Sequence, residues 1–464
     1  MRTVVCFSLF FCSFLVFAQM PYQKAIGGLK DDAGYSVKKL NDGSVVVFGV
    51  TASYGHAKQM YLFKLNPEGE LLWSKTYGGK KPDVGNKLIK AHDGGFLLMG
   101  YSSSFENVRK GVFVVKVDDQ GNVEWSKTYG GDLIDLGLDI ITTSDGGYAI
   151  VGETNSFEAW DYDIFCLKLD GNGQREWANV IGADSIDYGF SIVEVDDGYV
   201  IGCETTSFEG SDWDILLTKI NKKGDVNWSK LYKGARDDNG DHLIRIGDEH
   251  FGLVGSTESA GKGTRDILFM KTDLKGDVIQ WQTMGGSVSQ EPKYIKKVEK
   301  DGYIIGGFSN SFNPEHQGED ALIVRLAENG FLKYSKTFGG VRDEFIWALD
   351  ADDDMVTLVG NTNSFTEEEE ENYVYVVNFK DKRRVMNCEM SNVQMISIPV
   401  TNEIKVSEVE LKFKSADFDE HDVSVISDDV DSQVLDICID GELLIDDIIQ
   451  EEEHEEYEFQ QQGY

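Results

Sequence analysis

The sequence predicts an all-β fold: a seven-bladed β-propeller, followed by a small β-rich C-terminal region and an acidic tail. Three observations lead there. A Gly-Gly or Gly-Ala pair begins at Gly27, Gly78, Gly130, Gly182, Gly234, Gly285 and Gly339, at intervals of 51, 52, 52, 52, 51 and 54 residues. Each interval holds four short strand-like segments separated by turn residues, the signature of an all-β repeat. The repeat is also out of phase with the chain, which starts with the last strand of a unit and ends without one.

Residues 1–18 (MRTVVCFSLFFCSFLVFA) read as a signal peptide, with Arg2 as the basic start, an apolar run from Val4 to Phe17, and Val16 and Ala18 at the −3 and −1 positions of a cleavage before Gln19. The run is shorter than the ~20 residues a span needs, and no later segment is apolar enough, so no membrane span is expected. The mature chain is expected to be secreted. Acids outnumber bases 81 to 44, which argues against a nucleic-acid partner.

Residues 19–380 carry the repeat. Strand A alternates, as over 137–143, and ends in a turn such as Asp145-Gly146-Gly147. Strand B is an apolar run closing on a Gly that recurs as Gly49, Gly100, Gly152, Gly202, Gly255, Gly306 and Gly360. A polar loop with Ser-Phe follows, then strand C, which ends in a cation such as Lys64, Lys116 or Lys168. A Gly-closed turn leads to strand D, which carries Trp73, Trp125, Trp177, Trp228 and Trp281, with Tyr334 in the sixth place. Residues 21–26 match strand D alone, and residues 339–380 supply strands A, B and C. Pairing these fragments makes a seventh blade and removes two exposed sheet edges.

The units, with their pattern DGGY…VGETNSF…D.DIF.LKLD..G…W.KTYGG, resemble the secreted tandem β-propeller repeat proteins of Bacteroidota and related bacteria; residues 145–183 and 93–131 carry the pattern most fully. The resemblance implies a propeller over some 360 residues and implies no particular chemistry. The fifth and sixth units depart most: Ala260 replaces the loop Phe, and Gln290-Glu291-Pro292 replaces the usual Asp-x-Gly.

Asp32, Asp83, Asp135 and Asp187 recur before a Gly after each Gly-Gly corner. A ring of calcium sites and a set of turn caps both fit that recurrence, and capping is the simpler reading because every blade needs it. The repeated Trp is read as a blade-to-blade anchor. Repeat alignment puts Cys166 in the core and Cys203 at a more exposed position, in different blades, so they are not expected to pair. Cys388 and Cys438 share the C-terminal region and are the expected disulfide in an oxidising compartment.

The B–C loops and D–A corners share one face, and the longer, more variable loops make it the candidate binding surface. Trp160, Tyr162 and Trp213 lie in consecutive B–C loops beside Asp161 and Asp212, aromatic and acceptor groups suited to sugar rings. No nucleophile elbow, phosphate loop or His-Glu-x-x-His is present, so no catalytic residue is assigned, and His56 and His316 sit in non-neighbouring blades, so no metal site is assigned.

Beyond Asp381 the repeat stops. Residues 393–400, 408–414, 422–426 and 434–439 read as strands of a small β-rich region, 381–448, forming a module or lying on the propeller's side. Residues 381–464 hold 23 acids and 6 bases, and 449–464 reads as a disordered acidic tail. The expected function is a secreted, non-enzymatic module binding a glycan or extracellular protein on its long-loop face. A carboxylate-dependent hydrolase or lyase at the channel mouth and a structural surface protein are the alternatives. No cofactor is expected beyond loosely bound calcium.

Overall fold

A computed structural model describes residues 21–105, 109–157, 161–208, 210–298, 302–311, 318–352, 355–365 and 371–380, and within the C-terminal stretch 390–393, 395–399, 405–409, 411–415, 419–422, 426–430, 432–439 and 442–443. The signal segment and the acidic tail lie outside the described residues.

Twenty-eight strands form seven antiparallel four-stranded blades. Blade 3 is representative, with strand A at Asp135–Thr142, B at Tyr148–Thr154, C at Asp163–Leu169 and D at Arg175–Gly182. Blade 7 takes Glu344–Ala351, Met355–Thr362 and Tyr373–Lys380 as A, B and C, and Tyr22–Gly27 as D. The N-terminal strand pairs antiparallel with strand C from Tyr22 opposite Asn378 to Ile26 opposite Val374, so the two ends of the repeat meet in one sheet.

The repeated residues have local causes. Each strand A kinks through a bulge just after its corner, as between Gly137 and Asp139. The kink pushes strand A against strand B, and a Cβ on Gly152 would fall inside the Leu136 carbonyl oxygen. The same close approach explains Gly49, Gly100, Gly255 and Gly360; in blades 4 and 6 the place opposite the bulge falls one residue later, at Cys203 and Gly307. Asp135 caps the corner. Its Oδ2 accepts the Gly131 N–H at 2.8 Å and the Ser156 hydroxyl at 3.0 Å, and its Oδ1 accepts the Thr154 hydroxyl at 2.5 Å. The Ser of the Ser-Phe loop thus ties loop to corner. Where the sequence departs, the cap survives in a longer side chain. Gln290 Oε1 accepts the Gly286 N–H, and Glu344 Oε2 the Gly340 N–H, both at 2.7 Å.

Blades are joined by three recurrent contacts. At every junction the first strand A residue donates its N–H to the carbonyl just before the preceding blade's strand C, as in Asp135 to Lys110, Asp238 to Trp213 and Asp32 to Asn372. A strand D Tyr reaches the next blade's C–D turn: Tyr77, Tyr129 and Tyr232 donate to the carbonyls of Gly121, Gly173 and Gly276 at 2.6–2.7 Å. The strand D Trp lies against the same turn. A Cβ on Gly173, whose φ is +76°, would sit 2.7 Å from Trp125. In blade 5 the register is one residue off: Gln280, not Trp281, stands opposite Lys271, and Gln280 meets Gly330 of the next turn. The strand C cations pair with acids of the A–B turn and of strand D, Lys116 with Asp93 and Glu124, and Lys168 with Asp145 and Glu176.

Cys166 and Cys203 are free thiols, both buried in the cluster between blades 3 and 4. Cys203, expected nearer the surface, is fully covered because the register is one residue off the sequence alignment: it stands opposite Gly189, where blade 3 has Gly152 opposite Gly137, and lies in the blade 3–4 cluster.

The C-terminal strands do not gather into a module. They are dispersed one per blade, each adding a fifth antiparallel strand outside strand D. Met390–Val393 lies on blade 6, Ile396–Pro399 on blade 5, Lys405–Glu408 on blade 4, Lys412–Ser415 on blade 3, Asp419–Asp422 on blade 2, Ile426–Asp429 on blade 1 and Gln433–Ile439 on blade 7. The apolar residues that mark 408–414 as a strand, Val409 and Leu411, instead belong to the crossing between blades 4 and 3. Cys438 lies in the strand on blade 7, opposite Gln23, and Cys388 lies outside the described residues.

Candidate functional site

The long-loop face carries a cavity of about 430 Å³ where blades 4, 5 and 6 approach the channel. Strand A supplies most of its wall: Tyr188 and Phe190 from blade 4, Asn239, Gly240 and Asp241 from blade 5, and Glu291 and Lys293 from blade 6. Glu204 rises from strand B of blade 4, and Trp213 and Arg265 stand at the ends of two B–C loops. These positions follow from the bulged strand A, whose residues flanking the corner Gly face the channel. In blades 1 to 3 the position after the corner acid is Ala33, Val84 or Leu136; in blades 5 and 6 it is Asn239 or Glu291.

Trp213 is fixed at its backbone. Its N–H donates to Asp237 Oδ1 at 2.9 Å, and its carbonyl accepts the Asp238 N–H at 2.7 Å. Its ring meets Tyr188 edge to face at 5.5 Å, a favoured aromatic geometry. Tyr188 donates its hydroxyl to Glu204 Oε2; Asn239 Nδ2 reaches the same oxygen at 3.2 Å, and the Gly240 N–H reaches Oε1 at 2.8 Å. Burial pushes the Glu204 carboxyl up to about 7 despite these donors. Asp241 is held above the usual carboxylate range by burial, opposed by Lys293, whose Nζ lies 2.8 Å from Oδ1. Its Oδ2 is buried without a hydrogen-bond partner among the described residues.

Both cations are engaged within the wall. Lys293 bridges Asp241 and Glu291, and Arg265 bridges Glu258 at 2.7 Å and Glu291 at 3.2 Å. The unmet demand in the cavity is therefore for a donor, not an acceptor. The arrangement can seat a polar group between an aromatic wall and carboxylate acceptors, and it holds one carboxyl that changes charge near neutrality.

Deeper in the channel, His242 of blade 5 stacks on Tyr294 of blade 6 at 3.8 Å, and Lys87 of blade 2 lies 4.9 Å over the same ring. Lys87 also pairs with Asp139 of blade 3 at 3.1 Å. These side chains come from opposite sides of the ring, so the channel is crossed at this depth.

Of the residues singled out from sequence, Trp213 lines the cavity. Asp212 precedes it on the loop, and Tyr162 and Asp161 stand at the same place in blade 3; none of these three lines the cavity. Tyr162 contributes its carbonyl to the Asp187 N–H across the junction. Trp160 lies outside the described residues. Sequence reasoning passed over Glu204, Asp241, Glu291 and Lys293. The signal was present in part, because Gln290-Glu291-Pro292 is the corner that departs most from the repeat.

No family model matches this chain, and no curated protein matches it. Fourteen chains of solved structures match. One is described as the crystal structure of Sqt1 from Chaetomium thermophilum; it is 12% identical, covers 77% of this chain and 98% of that chain, and has a TM-score of 0.45. That likeness carries no argument about this chain, whose propeller fold rests on its own strand pairing.

Proposed function

We infer that the protein is a secreted binding propeller that takes a glycan, free or on an extracellular protein, at the blade 4–6 cavity of its long-loop face. The observation that supports this most is the pairing of the Trp213–Tyr188 aromatic wall with a buried, unpartnered carboxylate oxygen on Asp241. A sugar ring offers an apolar face to the first and a hydroxyl donor to the second, and a cavity of this size lies within the range of small-ligand sites. An anionic sugar would meet Glu204, Asp237, Asp241 and Glu291 with both cations already engaged, so a neutral or amine-bearing sugar fits better. Residues 1–18 support export, and no helix among the described residues is long and apolar enough to cross a membrane.

The test is a glycan and extracellular-protein binding screen on the mature chain with and without calcium, repeated with Trp213→Ala and with the Trp160/Trp213 double change. Binding weakened at least tenfold by Trp213→Ala, with unchanged circular dichroism, supports the reading. A folded chain that binds nothing in the screen overturns it and favours a structural surface protein.

The second reading, a hydrolase or lyase, is favoured by one observation: Glu204 is a buried carboxyl poised near neutrality and hydrogen-bonded to Tyr188, a combination general acids use. Turnover of a bound glycan, abolished by Glu204→Gln while binding persists, would move the assignment to it.

A further inference from the structure

The fifth strands follow a rule that neither the binding cavity nor the ring itself requires. The strands on blades 4, 3, 2, 1 and 7 begin at Lys405, Lys412, Asp419, Ile426 and Gln433, seven residues apart. Each first residue pairs with the same place in the repeat: Lys233, Gly182, Gly130, Gly78 and Gly27. The repeat has therefore two periods, 51 to 54 residues inside the ring and seven around its rim. Seven extended residues reach ~23 Å at most, so each step supplies four residues of backbone pairing and three to cross to the next blade.

Most apolar anchors lie in the crossings. Met395 is buried in the cluster between blades 5 and 6, Val409 and Leu411 pack on the cluster between blades 3 and 4, and Val430 on that between blades 7 and 1. Val434, in the last rim strand, packs on the same cluster as Val430. Backbone bonds fix the crossings as well: the Val409 and Val430 N–H groups donate to the carbonyls of Ser229 and Ser74 at 3.2 and 3.1 Å. Between crossings the described side chains at Lys405, Ser407 and Ile426–Asp429 are exposed. Charge favours the match too. Residues 405–439 hold 10 acids and 3 bases, and Asp429 pairs with Lys75 of strand D at 2.8 Å.

The last rim strand is the longest and sits on Tyr22–Gly27, the strand that closes the ring. The closing strand is thus bonded on both edges, to strand C of blade 7 inside and to Gln433–Ile439 outside. In chain order the rim strands lie on blades 6, 5, 4, 3, 2, 1 and 7, one blade after another around the ring.

We propose that the outer rim of the propeller is a peptide-docking surface with a seven-residue reading frame, and that residues 405–439 are its ligand, bound in cis as a separable hoop that locks the closed ring. Recognition is strand addition: backbone pairing gives most of the affinity, and strand starts placed every seven residues, with apolar anchors between them, give the register. Because its contacts are edge-on and shallow, the hoop opens at lower free energy than the blades beneath it. An opened rim takes the same segment when it is supplied from outside.

Hydrogen exchange on the mature full-length chain reads the first part. The rim strands should exchange at least tenfold faster than the strand B and C amides of the same blades, while those inner amides stay protected. In full-length Leu411→Asp, rim exchange at 405–415 should rise a further tenfold or more. A fluorescent peptide of residues 405–439 should then bind that variant, and a scrambled peptide of the same composition should not. If Leu411→Asp fails to fold, Val409→Asp serves in its place, and exchange on the unaltered chain stands alone. The proposal is overturned if rim and inner amides exchange together, which would make the hoop part of one cooperative unit, or if the peptide ignores a chain whose rim amides are unprotected.

Discussion

Replacing Glu204 by Gln should make the protein more stable at pH 8 and less stable at pH 4. The Glu204 side chain is buried, and burial lifts its carboxyl from 4.5 to about 7. A folded-state pKa above the unfolded one means that the folded chain holds the proton more tightly. Below pH 4.5 both states are protonated and no penalty exists; as pH rises from 4.5 through 7 the folded state loses stability, and above 7 the loss is complete. Each tenfold in proton affinity is about 1.4 kcal/mol, so the full penalty is ~3 kcal/mol. Gln removes it but offers one acceptor where Glu offers two. It can keep the Gly240 N–H and turn its own N–H to the Tyr188 hydroxyl, leaving Asn239 Nδ2 without its bond, a loss of ~1 kcal/mol. The variant should therefore be ~2 kcal/mol more stable at pH 8 and ~1 kcal/mol less stable at pH 4, with the curves crossing at about pH 5 to 6. Urea unfolding followed by tryptophan fluorescence at half-unit pH steps measures both curves. Parallel curves would refute the reasoning, because a difference that ignores pH cannot come from a carboxyl titrating in that window.

Two further perturbations test the ring and its thiols. Gly173→Ala puts a Cβ at a left-handed φ and 2.7 Å from Trp125, whereas Gly146→Ala, at φ +88°, meets nothing within 4 Å. The first should cost ~2–3 kcal/mol and the second ~1 kcal/mol; equal losses by urea unfolding would remove the Trp from its role as inter-blade anchor. Burial raises the thiol pKa values of Cys166 and Cys203, so iodoacetamide should label neither in the native chain and both in denaturant, and native labelling of either would refute their burial. A non-reducing digest of the chain purified under oxidising conditions tests the expected Cys388–Cys438 bridge, which would appear as one linked peptide and fail as two alkylated ones.

The ring was legible because its signals are local and repeated. Asp135 and its equivalents cap the corner that follows their own Gly-Gly, so one sequence window contains both partners of the bond. Phase was legible for the same reason, since residues 21–26 carry strand D residues and nothing of A, B or C. The rim was legible only in part: strands lying on the propeller's side were one of two readings, and of the expected segments 434–439 falls wholly within a rim strand. The other rim strands are four residues long and bind through backbone, which writes no alternation into the side chains. The apolar residues that do recur, such as Val409, Leu411 and Val430, belong to crossings, so a search for apolar strands centres on the wrong places. The seven-residue spacing was there, but it has meaning only against a second period seven times longer. Trp281 misled in a similar way. It keeps the period by sequence, yet one residue of slip puts Gln280 in the docking position, and a register shift cannot be read from spacing alone.

The cavity shows what the departures from the repeat accomplish. If blades 5 and 6 had merely drifted, their corners should have lost the cap along with the usual residues. Instead Gln290 keeps the bond to Gly286 that Asp makes elsewhere, and Asp238 keeps its own bonds to Thr257 and Ser259. The residues that face the channel change where the cap does not, Asn239, Asp241, Glu291 and Lys293 standing where blades 2 and 3 have Val84, Asn86, Leu136 and Leu138. A scaffold position held constant beside an inward position made polar is the pattern expected when a site is built on one side of a symmetric ring. A control follows from it: converting Asp241, Glu291 and Lys293 together to Leu, which removes the whole ionic set and leaves Arg265 on Glu258, should spare the blade 6 corner and the ring's stability to within ~1 kcal/mol, while abolishing whatever the cavity binds. Loss of the fold instead would mean that the polar wall is there to hold blades 5 and 6 together.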